Sequence, residues 1–367
     1  MARKLKSDKL LFLATFVLVC LSVVMVYSAS AMLAMEKVGN PYYYLFKQGS
    51  WAVIGLFMLW MVMRVDYRNL RQPMVIWTVV GIVGVALVLV LFAPARNGSH
   101  RWFSLGGITL QPSELAKLAV ILFTAALLER RMHRVDDVGY SLVPIGITTG
   151  LVCALVMLQP DFGTALVILA IVGVMVFAAG LSYRYMAGAA VVMLPVIAGV
   201  LLAAPYRRQR MLSFLNPEAD PQGIGYQSIQ AKIAVGKGGL LGEGVMDSTQ
   251  KLFYLPEPHT DFIFAVIGEE LGLIGATVIV LCFCVIAWRG FRAAVLAPDR
   301  FGAFLAVGLT TMVVLQAFFN ISVVLGLVPN KGIPLPFVSA GGSSLLISLV
   351  GMGILLNVSQ HATARAS

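Results

Sequence analysis

The chain has 367 residues, of which 59% are hydrophobic and only 12% charged, more apolar surface than a soluble domain of this length carries. A net charge of +10 would suit a nucleic-acid binder if it formed one patch, but the charges lie parcelled between apolar runs, so no nucleic acid is expected. Cys20, Cys153, Cys282 and Cys284 all fall inside apolar runs, with no histidine at ligand spacing. They read as small buried hydrophobes, not a metal site.

Apolar segments of about 20 residues recur, each long enough to cross a ~30 Å hydrocarbon core as a helix. Barrel strands would alternate apolar and polar residues, so the expected fold is an all-α polytopic membrane protein. Ten transmembrane helices are predicted, at roughly 10–33, 47–63, 74–93, 112–128, 139–158, 161–180, 185–204, 262–288, 302–327 and 336–357. The first follows Arg3, Lys4, Lys6 and Lys9 and carries Ala29-Ser30-Ala31, imitating a cleavable signal. Its apolar run exceeds the ~7–15 residues of a signal core, so an uncleaved helix is expected.

With the N-terminus in the cytoplasm, basic residues gather on that side. They are the four ahead of the first span, Arg64, Arg68 and Arg71, Arg130, Arg131 and Arg134, Arg184, then Arg289, Arg292 and Arg300, and finally Arg365. The short loops of the other face hold only Lys37, Lys47, Arg96, Arg101 and Lys331. This asymmetry predicts cytoplasmic N- and C-termini. One connection differs: residues 205–261, between helices 7 and 8, form a long extracytoplasmic loop. Within it Gln227–Ala234 has helical character and Gly236–Gly244 must turn. Structureless loops beyond ~12–15 residues are uncommon and often functional. No fixed-period repeat is visible, and a single membrane domain over 1–367 is the simplest organisation.

Four polar sets then stand out. In Gln111–Lys117, Pro112 suits a first helical turn, and Glu114 and Lys117 share a face at i, i+3. Lys117 would lie about 8 Å below the surface. The plain alternative is a dipole-matched Glu and a snorkelling Lys. In Leu255–Asp261 the prolines hold an extended approach to a helix, and Thr260 or Asp261 could simply cap it. Behind Asp261, however, Ala265, Gly268, Gly272 and Gly275 form a small-residue stripe that either packs on another helix or leaves room for a ligand. Glu269 and Glu270 lie ~12 Å into that span and need partners, Lys117 being a candidate. An Asp beside apolar surface and other carboxylates has a raised pKa, which suits a general base. In Pro334–Ser344, Gly341 and Gly342 with Ser343 and Ser344 make either an anion-binding turn or a plain cap. Asp161, in Gln159–Thr164, reads as a cap. All four sets fall on one membrane face, where they suit a substrate with an anionic head and an apolar tail.

At these motifs the sequence resembles the SEDS family (shape, elongation, division and sporulation). The matching stretches include Gly225-Tyr226-Gln227-Ser228-Ile229-Gln230, Gly238–Gly244, Gln250-Lys251, Arg101–Ala119, Leu158–Ala165 and Lys331–Ser344. Leu255–Gly275 (LPEPHTDFIFAVIGEELGLIG) is the most specific. The likeness covers essentially the whole chain and leans to the division branch; sporulation homologues fit as well. Ala340 stands where the family usually has Tyr, and Lys237 where it has Ser.

The resemblance implies the SEDS fold and a peptidoglycan glycosyltransferase that polymerises lipid II by a β-1,4 bond with inversion, releasing undecaprenyl diphosphate. It implies Asp261 as the essential carboxylate, Glu114 and Lys117 as a supporting pair, and Arg101 near the cavity. His259, Thr260, Lys251, Ser343 and Ser344 join them as supporting or substrate-binding candidates, with no protein metal site. A divalent cation, Mg or Mn, is a candidate cofactor for the leaving diphosphate. The implied partner is a class B penicillin-binding protein acting as transpeptidase, with other divisome proteins, at the division septum of the bacterial inner membrane. The rival readings are a lipid II flippase, best served by Glu269 and Glu270, and a non-catalytic division scaffold.

Overall fold

The computed structural model describes residues 7–95, 99–105, 108–134, 137–219, 221, 223, 225–252 and 254–365. Arg3, Lys4, Lys6 and Arg96 lie outside them. Every predicted span is a helix. In chain order these are α1 (Lys9–Val38), α2 (Tyr43–Val62), α3 (Pro73–Leu89), α4 (Pro112–Arg131), α5 (Val143–Leu158), α6 (Phe162–Ala178) and α7 (Tyr183–Ala203). Two shorter helices follow, α8 (Pro205–Leu215) and α9 (Tyr226–Lys237). The last three spans are α10 (Ile263–Leu296), α11 (Arg300–Val324) and α12 (Gly342–Arg365).

The helix ends follow local chemistry. Asp8 accepts from the N–H groups of Leu10 and Leu11, and Gly39, at φ 74°, closes α1 in the left-handed conformation. Proline occupies the first turn of α3 and α4. Asp299 caps α11 through Gly302 N–H, and Asp161 caps α6 through Thr164 N–H.

Among the described residues, eight helices are long and apolar enough, by length and composition, to cross a membrane. The other two predicted spans have physical reasons to fall short: α6 has 17 residues, and α4 carries Glu114 and Lys117 near one end and Glu129, Arg130 and Arg131 at the other. The bundle resolves that cost by placing α4 at its centre, where nearly every residue from Pro112 to Ala126 is buried. α11 and α12 are also central, whereas α7 has no buried residue and faces outward all round.

The long connection is largely ordered. It contains α8 and α9, and α9 coincides with the predicted helical stretch. A two-stranded hairpin precedes α4, β1 (Phe103–Leu105) on β2 (Ile108–Leu110), with Ser104 opposite Thr109. The sequence reading had no strand there.

The small-residue stripe of α10 is a packing surface, with Gly268 set against Val235 of α9. It receives the glycine turn that follows α9. A Cβ on Gly238 would collide with the Gly268 carbonyl, and one on Gly242 with that of Glu270. α10 is itself broken at Gly272, at φ 62° and ψ −163°, a conformation that favours glycine. The turn satisfies the backbone around the break. Glu243 and Gly244 N–H donate to the Glu269 and Glu270 carbonyls at 3.0 and 3.1 Å, and Leu273 and Ile274 N–H donate to Gly239 and Leu240 at 2.9 and 3.3 Å.

Candidate active site

Glu269 and Glu270 find their partners in the same connection, correcting the expectation that Lys117 would serve them. Glu269 accepts from Ser248 Oγ and from Thr249 N and Gln250 N at 3.1 and 3.3 Å. Glu270 accepts from Lys251 Nζ at 2.7 Å and from Ser28 Oγ of α1. Lys251 therefore supports the segment from beneath, its ammonium spent on Glu270. Lys117 Nζ instead bridges both Glu114 oxygens at 2.9 Å. Both residues are buried, at 1% and 2% exposure, so Lys117 does not snorkel.

Around this frame the polar sets converge. Arg101, just before the hairpin, donates through Nε to the Gln159 carbonyl at 2.8 Å and through its terminal nitrogen to Pro160 at 2.5 Å. It thereby fixes the turn that carries Asp161. Gln111 Nε2 reaches Asp161 Oδ2 at 3.2 Å, while Thr164 Oγ1 donates to the same oxygen at 2.9 Å. Asp161 is thus a cap, as expected.

Asp261 behaves otherwise. The capping position of α10 falls to Phe262, which makes no side-chain cap bond. Among the described residues none hydrogen-bonds the Asp261 carboxylate. It lies against Gly332, where an added Cβ would stand 2.9 Å from Oδ2. Burial raises its pKa to about 6, Glu257 adds to the rise, and Arg210 and Arg101 oppose it. The capping alternative therefore gives way to a partly buried, unpaired carboxylate at a helix mouth.

Its neighbours are held rather than free. The buried His259 ring packs on Tyr44, 4.8 Å between centroids, with Nε2 3.9 Å from Glu257. Burial keeps its pKa below the ordinary imidazole value, so it is neutral at pH 7. Thr260 Oγ1 donates to Glu257 O at 3.2 Å. Glu257 and Phe337 hold left-handed backbone, at φ 51° and 65°, strain of the kind that clusters at functional sites. Ser343 is buried with its hydroxyl unpartnered among the described residues, and Ser344 follows it in the first turn of α12.

Sequence reading passed over Asn320 and did not single out Gly332; Arg210 entered it only among the arginines of the long loop, and Ser339 only within Pro334–Ser344. Arg210 sits on α8, bonded to Asn330 O at 3.4 Å. Lys331 stacks over the Phe162 ring at 4.6 Å, and burial lowers its pKa. Arg101, Arg210 and Lys331 thus bring positive charge to the neighbourhood of one carboxylate.

This architecture is that of a multi-pass membrane protein with one polar site at the end of its central helices. The family model for cell cycle proteins of the FtsW, RodA and SpoVE type matches residues 8–364, and the chain belongs to that family. It is 43% identical over 359 residues to a probable peptidoglycan glycosyltransferase FtsW of Geobacter metallireducens, covering 96% of this chain and 95% of that one. It is 42% identical over 362 residues to the stage V sporulation protein E of Bacillus subtilis, covering 98% and 99%. Among solved structures, a chain of a peptidoglycan synthase complex that coordinates polymerization and crosslinking superposes with TM-score 0.80 at 31% identity, over 98% of this chain and 99% of that one. The rod shape determining protein RodA of Thermus thermophilus gives 0.72 at 28%, over 97% of each.

Proposed function

We propose that this protein is a peptidoglycan glycosyltransferase that polymerises lipid II, with Asp261 as general base. The observation that carries the reading is the unpaired carboxylate of Asp261 at the mouth of α10, flanked by cations. At pH 7 it is mostly ionised, yet basic enough to take a proton in the transition state, a contribution of ~10²–10⁴-fold.

The acceptor 4-hydroxyl attacks the anomeric carbon of the lipid-linked donor, and Asp261 takes its proton. The carbon–oxygen bond to the diphosphate breaks with its electron pair, and a single displacement inverts the α-linked donor to a β-1,4 product. Arg210, Lys331 and Arg101 supply positive charge where the leaving diphosphate develops its own. A chain-held divalent cation does not fit the residues present. Among the described residues no three carboxylates, histidines or cysteines gather, and Asp161 is committed to capping. A Mg or Mn ion would enter with the diphosphate, and no step is routed through it.

The likeness to a chain of a peptidoglycan synthase complex supports a class B penicillin-binding protein as transpeptidase partner, beside other divisome proteins. The basic asymmetry of the loops supports both termini in the cytoplasm and the site outside, at the septum. Engagement of Glu269 and Glu270 by the connecting segment removes the residues that best suited a flippase path. The deciding experiment is glycan polymerisation from lipid II by the purified protein with its partner, comparing the parent with Asp261→Asn. Loss of polymer in a folded, partner-bound variant is expected; polymer at the parent rate places the base elsewhere.

A further inference from the structure

Three consecutive carbonyls hang from the far side of the site. Ala340 N–H donates to His259 O at 2.9 Å, Ser339 Oγ to Thr260 O at 2.6 Å, and Asn320 Nδ2 to Asp261 O at 2.8 Å. Ser339 Oγ also accepts from Leu335 N–H at 2.8 Å, within its own loop, whereas the Asn320 amide, reaching in from α11, donates a second bond to Ile333 O at 2.8 Å. Both partners are acceptors, which fixes the amide with its nitrogen toward them. Ile333 follows Gly332, the residue that lies against the Asp261 carboxylate. One side chain of α11, 2% exposed, thus ties the backbone of the base to the backbone that walls its carboxylate.

We propose that Asn320 is a positioning residue for Asp261, setting the gap between that carboxylate and Gly332. The inference rests on the general-base reading above. Among the described residues the carboxylate has no hydrogen bond of its own, so its place depends on its backbone, and that backbone is held at residue 261 by Asn320. The amide oxygen is buried without a partner among the described residues, a cost set against the two nitrogen bonds. Both of these bonds go to the site loops and neither to a neighbouring helix, so the amide's cohesion is spent on the site. Displacing a reacting group by about an ångström costs ~10²-fold in rate.

The test is lipid II polymerisation by the full-length protein with its partner, measured for Asn320→Ala, Ser339→Ala, Asp261→Asn and the exposed control Phe318→Ala. Initial rates are taken against lipid II concentration from pH 5 to 8, with the folded fraction read separately. Asn320→Ala is expected to lose about 10–100-fold in kcat, with KM changed less than about 3-fold. Its acid limb should move below pH 6 as the carboxylate gains water, while Glu257, Asp161, Arg210 and Arg101 still face it. Ser339→Ala should shift in the same direction by less, and Phe318→Ala not at all. If Asn320→Ala does not fold, Ser339→Ala decides alone. A kcat within about 2-fold of the parent, or a loss that only tracks the folded fraction with the limb unmoved, overturns the proposal. Should Asp261→Asn be dead while Asn320→Ala runs at the parent rate, only the positioning role fails; should Asp261→Asn run, the base itself is misassigned.

Discussion

Lys251 Nζ stands 2.7 Å from Glu270 Oε1 and 3.1 Å from Ser28 Oγ, with both charged side chains almost wholly buried. The segment that runs up to Asp261 is therefore pinned at its base to both α10 and α1. Removing one partner of such a pair strands a charge, which costs about 3–5 kcal/mol. Lys251→Met should lower the melting temperature in detergent accordingly, and the double change with Glu270→Met should recover most of it. A single variant that melts with the parent would show that the pair is not buried in solution.

The Glu114–Lys117 pair, buried inside α4, obeys the same physics. Lys117→Ala should cripple polymerisation far more than Lys9→Ala, an exposed change at the opposite end. A paired replacement of Glu114 and Lys117 by methionines should restore folding. Polymer synthesis at the parent rate by that double variant would reduce the pair to a structural role.

Asp261 also predicts a trade between activity and stability. Its folded pKa of about 6 lies above the ordinary 3.8, so the folded state holds its proton more tightly than the unfolded chain. Stability therefore falls as pH rises between about 4 and 6 and stays lower above that window. Asp261→Asn should raise the stability by about 1–3 kcal/mol at pH 7.5, a gain that vanishes by pH 4, while abolishing synthesis. In the parent, kcat/KM should fall below pH 6. Equal melting of parent and variant at pH 7.5 would contradict the desolvated carboxylate.

Gly272→Ala tests the broken helix. It forces a side chain onto a left-handed backbone and into the turn formed by Leu240 and Gly242, so a loss of more than about 2 kcal/mol is expected. Gly146→Ala, in a helix position with open space around it, should cost little. Equal melting of the two variants would mean the break is not present in solution.

Much of this was legible in sequence because lipid imposes a single rule: every ~20-residue apolar run must satisfy its own backbone. α4 was found despite its charges because Pro112 marks its start and the apolar run continues past Lys117. The pairing of Glu269 and Glu270 was not legible, since Ser248 and Lys251 lie about 20 residues earlier on a segment without periodicity. Asn320 was passed over because one amide in an apolar span leaves the hydropathy of the span unchanged. The hairpin at Phe103–Leu110 escaped because its strands have three residues each. Asp261 stood out in sequence as a carboxylate at a helix mouth, but that Phe262 and not Asp261 takes the capping position is a matter of where α10 begins, which the sequence left open.

The break at Gly272 also bears on how the protein is made. Four backbone hydrogen bonds of α10 are completed by residues 239–244, so this helix is not a self-sufficient span when it reaches the insertion machinery. Its neighbouring turn has been synthesised first and must wait beside the bilayer to meet it. A chain lacking residues 239–244 should integrate α10 less efficiently, as glycosylation mapping of truncated nascent chains would reveal.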